Sequence, residues 1–459
     1  MTKSTLAITI GLLLTLSVAS ADEVFPQYTE FTLANGLRTI LIEDHRQPTV
    51  SIAILFKTGA SSDPPELAGR AILTGHMMKE NTRNFPGNEL LEAIDSVGGI
   101  VEISVLTKDG MSFDADFLSR DISLALRIVS DIVINPVFTE EALERMSRRL
   151  ISINFQTRSV AQYRLMDALY NEIFRECGYG RAALGTRTSL SGITLDDINV
   201  YFVNHIRPEN AILLVGGDIN PPQIQKVVSG YFSGWIKGGN RPAAKYEPAF
   251  RDTLQIILID NPTVPSADFM IGLPTAPVGS PDFPAMLTLN YVIGGGGRVS
   301  RLYRSLVEEK GLASIVTSEL DWARNHGMLR IWGAAPAEIA TEAIVQAMSV
   351  LEELSSLRVP QKELDETRNY FRGYAPMLYE NVSSSMDQFV KFLSTGVDLP
   401  YQAELLKEID MLTPVSLQSA ARKYISRDKM TLAVIGPKSS LLPSLSTLGM
   451  VTVIKLEEE

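Results

Sequence analysis

The hydrophobic pattern of the chain changes period repeatedly, and the changes come in two similar series. Residues 28–33 and 37–43 carry strand-like apolar alternation on either side of Asn35-Gly36. Such a pair tolerates positive φ, and it predicts a tight hairpin. Residues 50–57 read as a third strand. Helical spacing takes over from about Glu66 and again over 87–97. A strand near Val101, another over 111–117 and a long helix over 120–134 follow, the helix closed by Asn135-Pro136. Helical periodicity resumes over 140–156, 161–174 and 195–203, and an apolar strand at 211–215 ends the series. Strands and helices grouped in this way predict an α+β fold.

The second series repeats the first. Ile193-Thr-Leu-Asp-Asp-Ile, running on to Ala211-Ile-Leu-Leu-Val-Gly-Gly217, has a counterpart in Leu412-Thr-Pro-Val-Ser-Leu, running on to Met430-Thr-Leu-Ala-Val-Ile-Gly436. A constant offset of 219 pairs Thr194 with Thr413, Ile206 with Ile425, Val215 with Val434 and Gly217 with Gly436. Residues 327–332 likewise stand where 111–117 stand in the first series. Repeats of this length indicate duplicated domains, because solenoid periods are about 20–50 residues. We expect two duplicated α/β domains, each an antiparallel-rich sheet packed by helices. They span residues 22–237 and 251–459, with a linker at 238–250 that contains Gly238-Gly239-Asn240, Pro242 and Pro248.

The N-terminus changes the picture of where the chain works. Lys3 precedes an apolar run from Leu6 to Val18, and Ala19-Ser20-Ala21 fits a small-residue cleavage site. Residues 1–21 read as an export signal, so the mature chain begins at Asp22 and is secreted, with the bacterial periplasm as its expected address. No other stretch approaches the roughly 20 apolar residues of a membrane span. The net charge is −11 and no basic stripe occurs, which argues against nucleic acid as a partner. The single cysteine, Cys177, excludes an internal disulfide and reads as an idle thiol.

Leu67-Ala-Gly-Arg-Ala-Ile-Leu-Thr-Gly-His-Met-Met-Lys-Glu-Asn-Thr82 resembles the zinc-site helix of the pitrilysin/insulinase family, inverzincins whose helix carries H-x-x-E-H. The resemblance extends over nearly all of the mature chain. Gly178-Tyr-Gly-Arg-Ala-Ala-Leu-Gly-Thr186 is similar to the family's P-Y-G-R-P-x-x-G-T run. Ile193-Thr-Leu-Asp-Asp-Ile is similar to its L-T-x-E-D-L. Gly294-Gly-Gly-Gly-Arg-Val-Ser-Arg-Leu302, continuing to Glu309-Lys-Gly-Leu-Ala313, is similar to its second-half G-G-x-x-S-R-L run. The implied fold is one half of a chamber built from two such domain pairs.

The implied chemistry does not carry over. On the family pattern the first His falls at Ile72, the Glu at Gly75 and the second His at His76. Zinc needs lone-pair ligands, and its bound water needs a general base; Ile and Gly supply neither. The family's third ligand is a Glu on the helix matching 140–156, aligned near Arg148-Arg-Leu-Ile-Ser-Ile-Asn-Phe155, yet no Asp or Glu occurs from Arg145 to Met166. The four histidines, His45, His76, His205 and His326, are too scattered for another H-x-x-E-H or H-E-x-x-H. The family's substrate-holding Arg and Tyr fall at Val307 and Ser314. The run Gly294–Gly297 lacks the Lys-Ser/Thr of a phosphate loop and reads as a turn before a helix.

We therefore expect no catalytic residue, no metal and no cofactor. The resemblance implies a non-catalytic subunit that pairs with a catalytic insulinase-like chain. Some bacterial members divide labour between two chains, one with the zinc ligands and one with the Arg/Tyr pair, and this chain matches neither role. The alternative is a structural adaptor in a periplasmic complex without proteolysis. Peptide binding needs main-chain groups alone if a peptide adds to a sheet edge. Ile100, Val101, Glu102, Ile103, Ser104 and Val105 are the expected edge.

Overall fold

The computed structural model describes residues 25–175, 177–238 and 252–455, with the side chains of 104–107 left aside. The export signal and nearly all of the expected linker lie outside the described residues.

Asn35-Gly36 makes its turn as the sequence requires. Gly36 sits at φ +92°, and its N–H donates to Leu33 O at 2.8 Å. The hairpin joins β1 (Thr29–Thr32) to β2 (Arg38–Glu43). With β3 (Thr49–Phe56), β4 (Ile100–Thr107), β5 (Gly110–Leu118) and β6 (Ala211–Gly217) they form one sheet in the order β1-β2-β6-β3-β5-β4. The second sheet holds β7 (Gln255–Asp260), β8 (Ser266–Thr275), β9 (Ile315–Trp322), β10 (Gly327–Pro336), β11 (Thr431–Gly436) and β12 (Val451–Lys455), in the order β12-β7-β11-β8-β10-β9. Five positions correspond one to one, including the parallel pairs β2–β6 and β7–β11. The sixth differs. β1 comes from the start of the chain and runs antiparallel to β2, whereas β12 comes from its end and runs parallel to β7.

Helices α1 (Arg70–Met78), α2 (Glu89–Asp95), α3 (Ile122–Ile134), α4 (Glu140–Arg158), α5 (Ala161–Ile173), α6 (Arg187–Gly192), α7 (Leu195–His205) and α8 (Pro221–Phe232) accompany the first sheet in sequence. α9 (Phe283–Asn290), α10 (Ala340–Ser356), α11 (Gln361–Leu378), α12 (Val382–Ser394), α13 (Leu399–Met411), α14 (Pro414–Tyr424) and α15 (Lys438–Leu445) accompany the second. The repeat holds at atomic detail. Thr194 and Thr413 each cap a helix, α7 and α14, through a reciprocal capping box with Asp197 and Ser416. Ile206 and Ile425 end those helices.

Each sheet has two apolar faces, and the halves cover them by exchange. One face of the first sheet packs on its own α3 and α8, through Leu126, Val129, Ile132, Val228 and Phe232. Its other face, with Ile40, Ile42, Leu55 and Leu214, is covered by Met386, Phe389, Val390 and Leu393 of α12. In return, Leu165, Leu169 and Ile173 of α5 cover Ile257, Ile259, Met270 and Ile435 of the second sheet. Gly272 permits that approach, since a Cβ there would lie 2.7 Å from Leu169 Cδ2.

Candidate functional site

The site is built on α1 and the helix beside it. Asp63 anchors the start of α1: its carboxylate accepts from Ala71 N at 3.1 Å and lies 3.6 Å from Arg70 Nε. Burial pushes the Asp63 carboxyl up to about 7, against the opposing pull of Ala71 N–H and Arg70. The far end of α1 is tied to α4 by Arg145 and Glu80 at 2.7 Å. Its near end meets Gly185, whose carbonyl accepts from Asn154 of α4. The two helices therefore run antiparallel. With Glu80 opposite Arg145, one turn back along α1 and one turn forward along α4 sets His76 opposite Arg149, and a further turn sets Ile72 opposite Ile153.

The three family positions now have surroundings. Ile72 is 7% exposed and packs in a cluster with Leu73, Met77, Met146 and Leu150. Gly75 is buried, and a Cβ there would stand 2.1 Å from Ile103 Cδ1 and 2.7 Å from Met111 Sδ. The volume where a general base would project is thus filled by a side chain of β4. His76 is half-buried. Burial first, then the positive charges of Lys79 and Arg149, hold its imidazole down at about 4. A zinc ion needs ligands with lone pairs, and cations beside it oppose its binding. One imidazole, an isoleucine, a glycine and two cations do not fit a metal. Among the described residues no group of three or more His, Cys, Asp and Glu is placed to hold one.

The second half offers no replacement clamp. Val307 packs against the core of its own half, and Ser314 Oγ donates to Ala334 O at 3.1 Å. The neighbouring Arg301 is engaged by Glu363 at 2.6 Å, with Arg304 at 3.8 Å from the same carboxylate. The Gly294–Gly297 run is not a simple turn: α9 continues as a π-helical turn over Tyr291–Gly295, and a 3-10 turn starts at Gly297, at φ +61°. Cys177 is buried in the α5 cluster, where burial raises its thiol pKa.

Ile100, Val101, Glu102, Ile103, Ser104 and Val105 all fall on β4, at the end of the strand order. Ile100 through Ser104 pair with Asp116 through Ser112 of β5, and an irregularity follows between Ser104 and Thr107. Lys79 Nζ donates to Val101 O at 3.2 Å, so α1 and the edge strand are joined.

The insulinase (peptidase family M16) description matches residues 38–187, and the peptidase M16 inactive domain matches 192–371. This chain belongs to the M16 peptidase family. The "inactive domain" description concerns residues 192–371, whereas Ile72, Gly75 and His76 lie in the part that matches the insulinase description. Among M16 relatives, the uncharacterized zinc protease YmxG of Bacillus subtilis is 24% identical over 90% of this chain and 98% of its own. The non-peptidase homolog YmxG of Helicobacter pylori is 20% identical over 86% and 91%. A solved protease from Helicobacter pylori superposes with TM-score 0.84 at 19% identity, covering 90% of this chain and all of that one. A peptidase M16 inactive domain from Pseudomonas fluorescens gives 0.82 at 20% identity, covering 94% and 100%. The M16 fold is shared by proteins described as zinc proteases and by one described as a non-peptidase, so the residues of the site must decide between the two.

The sequence reading missed a second polar centre, the cleft between the M16 halves. A cavity of about 530 Å³ there is lined by Lys108, Tyr170, Asp321, Trp322, His326 and Lys391, among others. Tyr179 Oη donates to Asp109 at 2.6 Å, and Asp109 accepts from Arg324 N at 2.8 Å, so the β4–β5 turn is bonded to the β9–β10 turn. Lys108 Nζ donates to Arg181 O at 3.0 Å and lies 4.1 Å from the Tyr170 ring centroid; burial brings its pKa down to about 8. Tyr179 is visible in the Gly-Tyr-Gly-Arg motif. Lys108 and His326 carry no sequence signal, because only the folded chain brings the two turns together.

His326 lies 4.2 Å from both the Phe174 and Tyr179 rings, and burial, with Lys108 nearby, holds its pKa down at about 3. Between that value and the unfolded 6.5 the unfolded chain binds a proton that the folded chain refuses. Stability from this residue is present above pH 6.5 and is lost as the pH falls towards 3. From pH 7 to pH 5, the wild type loses about 2 kcal/mol relative to His326→Phe. Urea unfolding of both proteins at both pH values measures the difference, and parallel pH dependences would refute it.

Proposed function

We propose that this chain is an exported, non-catalytic M16 subunit that pairs with an active zinc-bearing homologue to enclose a peptide-degrading chamber. The reading treats residues 22–237 and 251–459 as its two domains and the periplasm as its address. One observation carries it: the slot for a general base beside Gly75 is filled by Ile103, so the loss of H-x-x-E-H has been packed over. Peptide binding by main-chain pairing survives such a loss, because β4 keeps an edge in the order of its sheet. Ile100 through Val105 are the residues assigned to it.

The test is purification of the tagged full-length chain from its own cells. The expected result is an M16 homologue with intact H-x-x-E-H at near-equal stoichiometry, and less than about 0.1 zinc on this chain once separated. Unrelated partners alone would favour the adaptor role without proteolysis. Stoichiometric zinc on the isolated chain would overturn the proposal.

A further inference from the structure

We propose that the vestigial site receives the C-terminal carboxylate of a peptide added to β4, with Lys79 and Arg149 as its cations. This rests on the reading that β4 takes peptides as an extra strand.

Three observations converge on it. The first is the helix register derived from Arg145–Glu80, which sets Arg149 opposite His76, on the side of α1 where a ligand-bearing helix would face the metal. The second is that Arg149 is an uncommitted cation. Its neighbours Arg145 and Arg148 pair with Glu80 and with Glu144, whereas Arg149 is exposed and has no ion pair among the described residues. No acid occurs on the chain from Arg145 to Met166 to neutralise it. The third is Lys79. It lies one turn beyond Gly75, donates to Val101 O at 3.2 Å, and is half-buried. The acids that face it are Glu102 of β4 and Glu80 of its own helix, and Glu80 is already held by Arg145. Where a zinc peptidase of this fold concentrates positive charge in a metal, this chain concentrates it in two side chains. Lys79 is half-buried, which strengthens a charge-assisted hydrogen bond to it.

The end of the peptide, and which end, follow from the same contacts. Lys79 takes the Val101 acceptor, so a strand paired with β4 has its ladder from Ile103 onward and terminates beside Lys79. An ammonium terminus is repelled by Lys79 and Arg149, and a carboxylate is attracted. The bound peptide therefore runs antiparallel to β4, with its C-terminus at the α1–α4 contact.

The experiment is fluorescence anisotropy on the full chain with an N-terminally labelled hexapeptide of β-branched residues. It is used as the free acid, as the C-terminal amide, and as an amide with one internal Glu. The wild type is expected to bind the free acid about tenfold more tightly than the amide. In Arg149→Gln that preference falls to within about twofold, with the melting temperature unchanged. Equal binding of acid and amide by the wild type would overturn the carboxylate receptor while leaving strand addition standing. If the internal-Glu amide matched the free acid, the site would be one for acidic side chains and the terminal assignment would be wrong. If no peptide binds, or if Ile103→Pro binds as the wild type does, strand addition to β4 falls and this inference with it.

Discussion

Gly75→Glu is expected to destabilise the protein by roughly 2–3 kcal/mol and to leave it without zinc. The first Cβ atom of any new side chain would stand 2.1 Å from Ile103 Cδ1 and 2.7 Å from Met111 Sδ. Both neighbours are side-chain ends that can rotate. Gly75→Ala therefore asks for a small shift, offset by the gain of about 1 kcal/mol that Ala brings to a helix. A glutamate must displace both neighbours and then set a carboxylate among them, where desolvation adds to the overpacking. The relief is specific: Ile103→Ala opens the slot, so the double variant recovers at least about 1 kcal/mol relative to the sum of the single changes. Ile72→His combined with Gly75→Glu still lacks a third ligand and still faces Lys79 and Arg149. It is expected to hold no zinc through a desalting column. Urea unfolding followed by tryptophan fluorescence, with metal analysis of the same samples, gives both answers. A Gly75→Glu protein as stable as the wild type, with no coupling to Ile103, would mean that β4 does not close the slot.

The departure from H-x-x-E-H was legible because it depends on residue type alone: Ile72 and Gly75 have no ligand atoms, whatever surrounds them. The repeat was legible for a similar reason. Thr194 and Thr413 announce helix starts through local hydrogen bonding, and Asn35-Gly36 announces a turn through local backbone preference. The position of Ile100–Val105 at the end of a sheet also agrees with the expectation. What periodicity cannot convey is which surface an apolar stripe meets. The helical period over 161–174 announces α5, yet its stripe covers the sheet of the other half, as that of α12 does in return. The contact of Ile103 with Gly75, the placement of Arg149 near His76 and the burial of Lys108 and His326 are likewise set by tertiary placement. The strand at Val451–Lys455 alternates only briefly and escaped the reading, although it supplies the second sheet with its outer strand.

Neither half is expected to fold alone, because each holds the cover for the other's sheet. The α12 side chains Met386, Phe389, Val390 and Leu393 are all 3% exposed or less. Burying such a side chain contributes about 1.5–3 kcal/mol, so their loss removes an amount comparable with the whole net stability of a domain, about 5–15 kcal/mol. The second sheet loses Leu165, Leu169 and Ile173 of α5 in the same way. Residues 25–238 expressed alone are expected to show no cooperative melt, and residues 252–455 likewise. Expressed together they are expected to co-purify and melt as one unit. Within the intact chain, Phe389→Ala reports the same coupling. Its ring is fully buried, with the Phe25 ring centroid at 5.1 Å and that of Tyr28 at 5.9 Å. The substitution is expected to cost about 3–5 kcal/mol. Because the residue belongs to one half by sequence and to the other by packing, the cost lowers a single shared unfolding transition. Calorimetry distinguishes the cases. A first half that melts cooperatively on its own near the wild-type temperature, or a Phe389→Ala protein with one transition shifted and a second left in place, would show that the exchanged helices do not unite the fold.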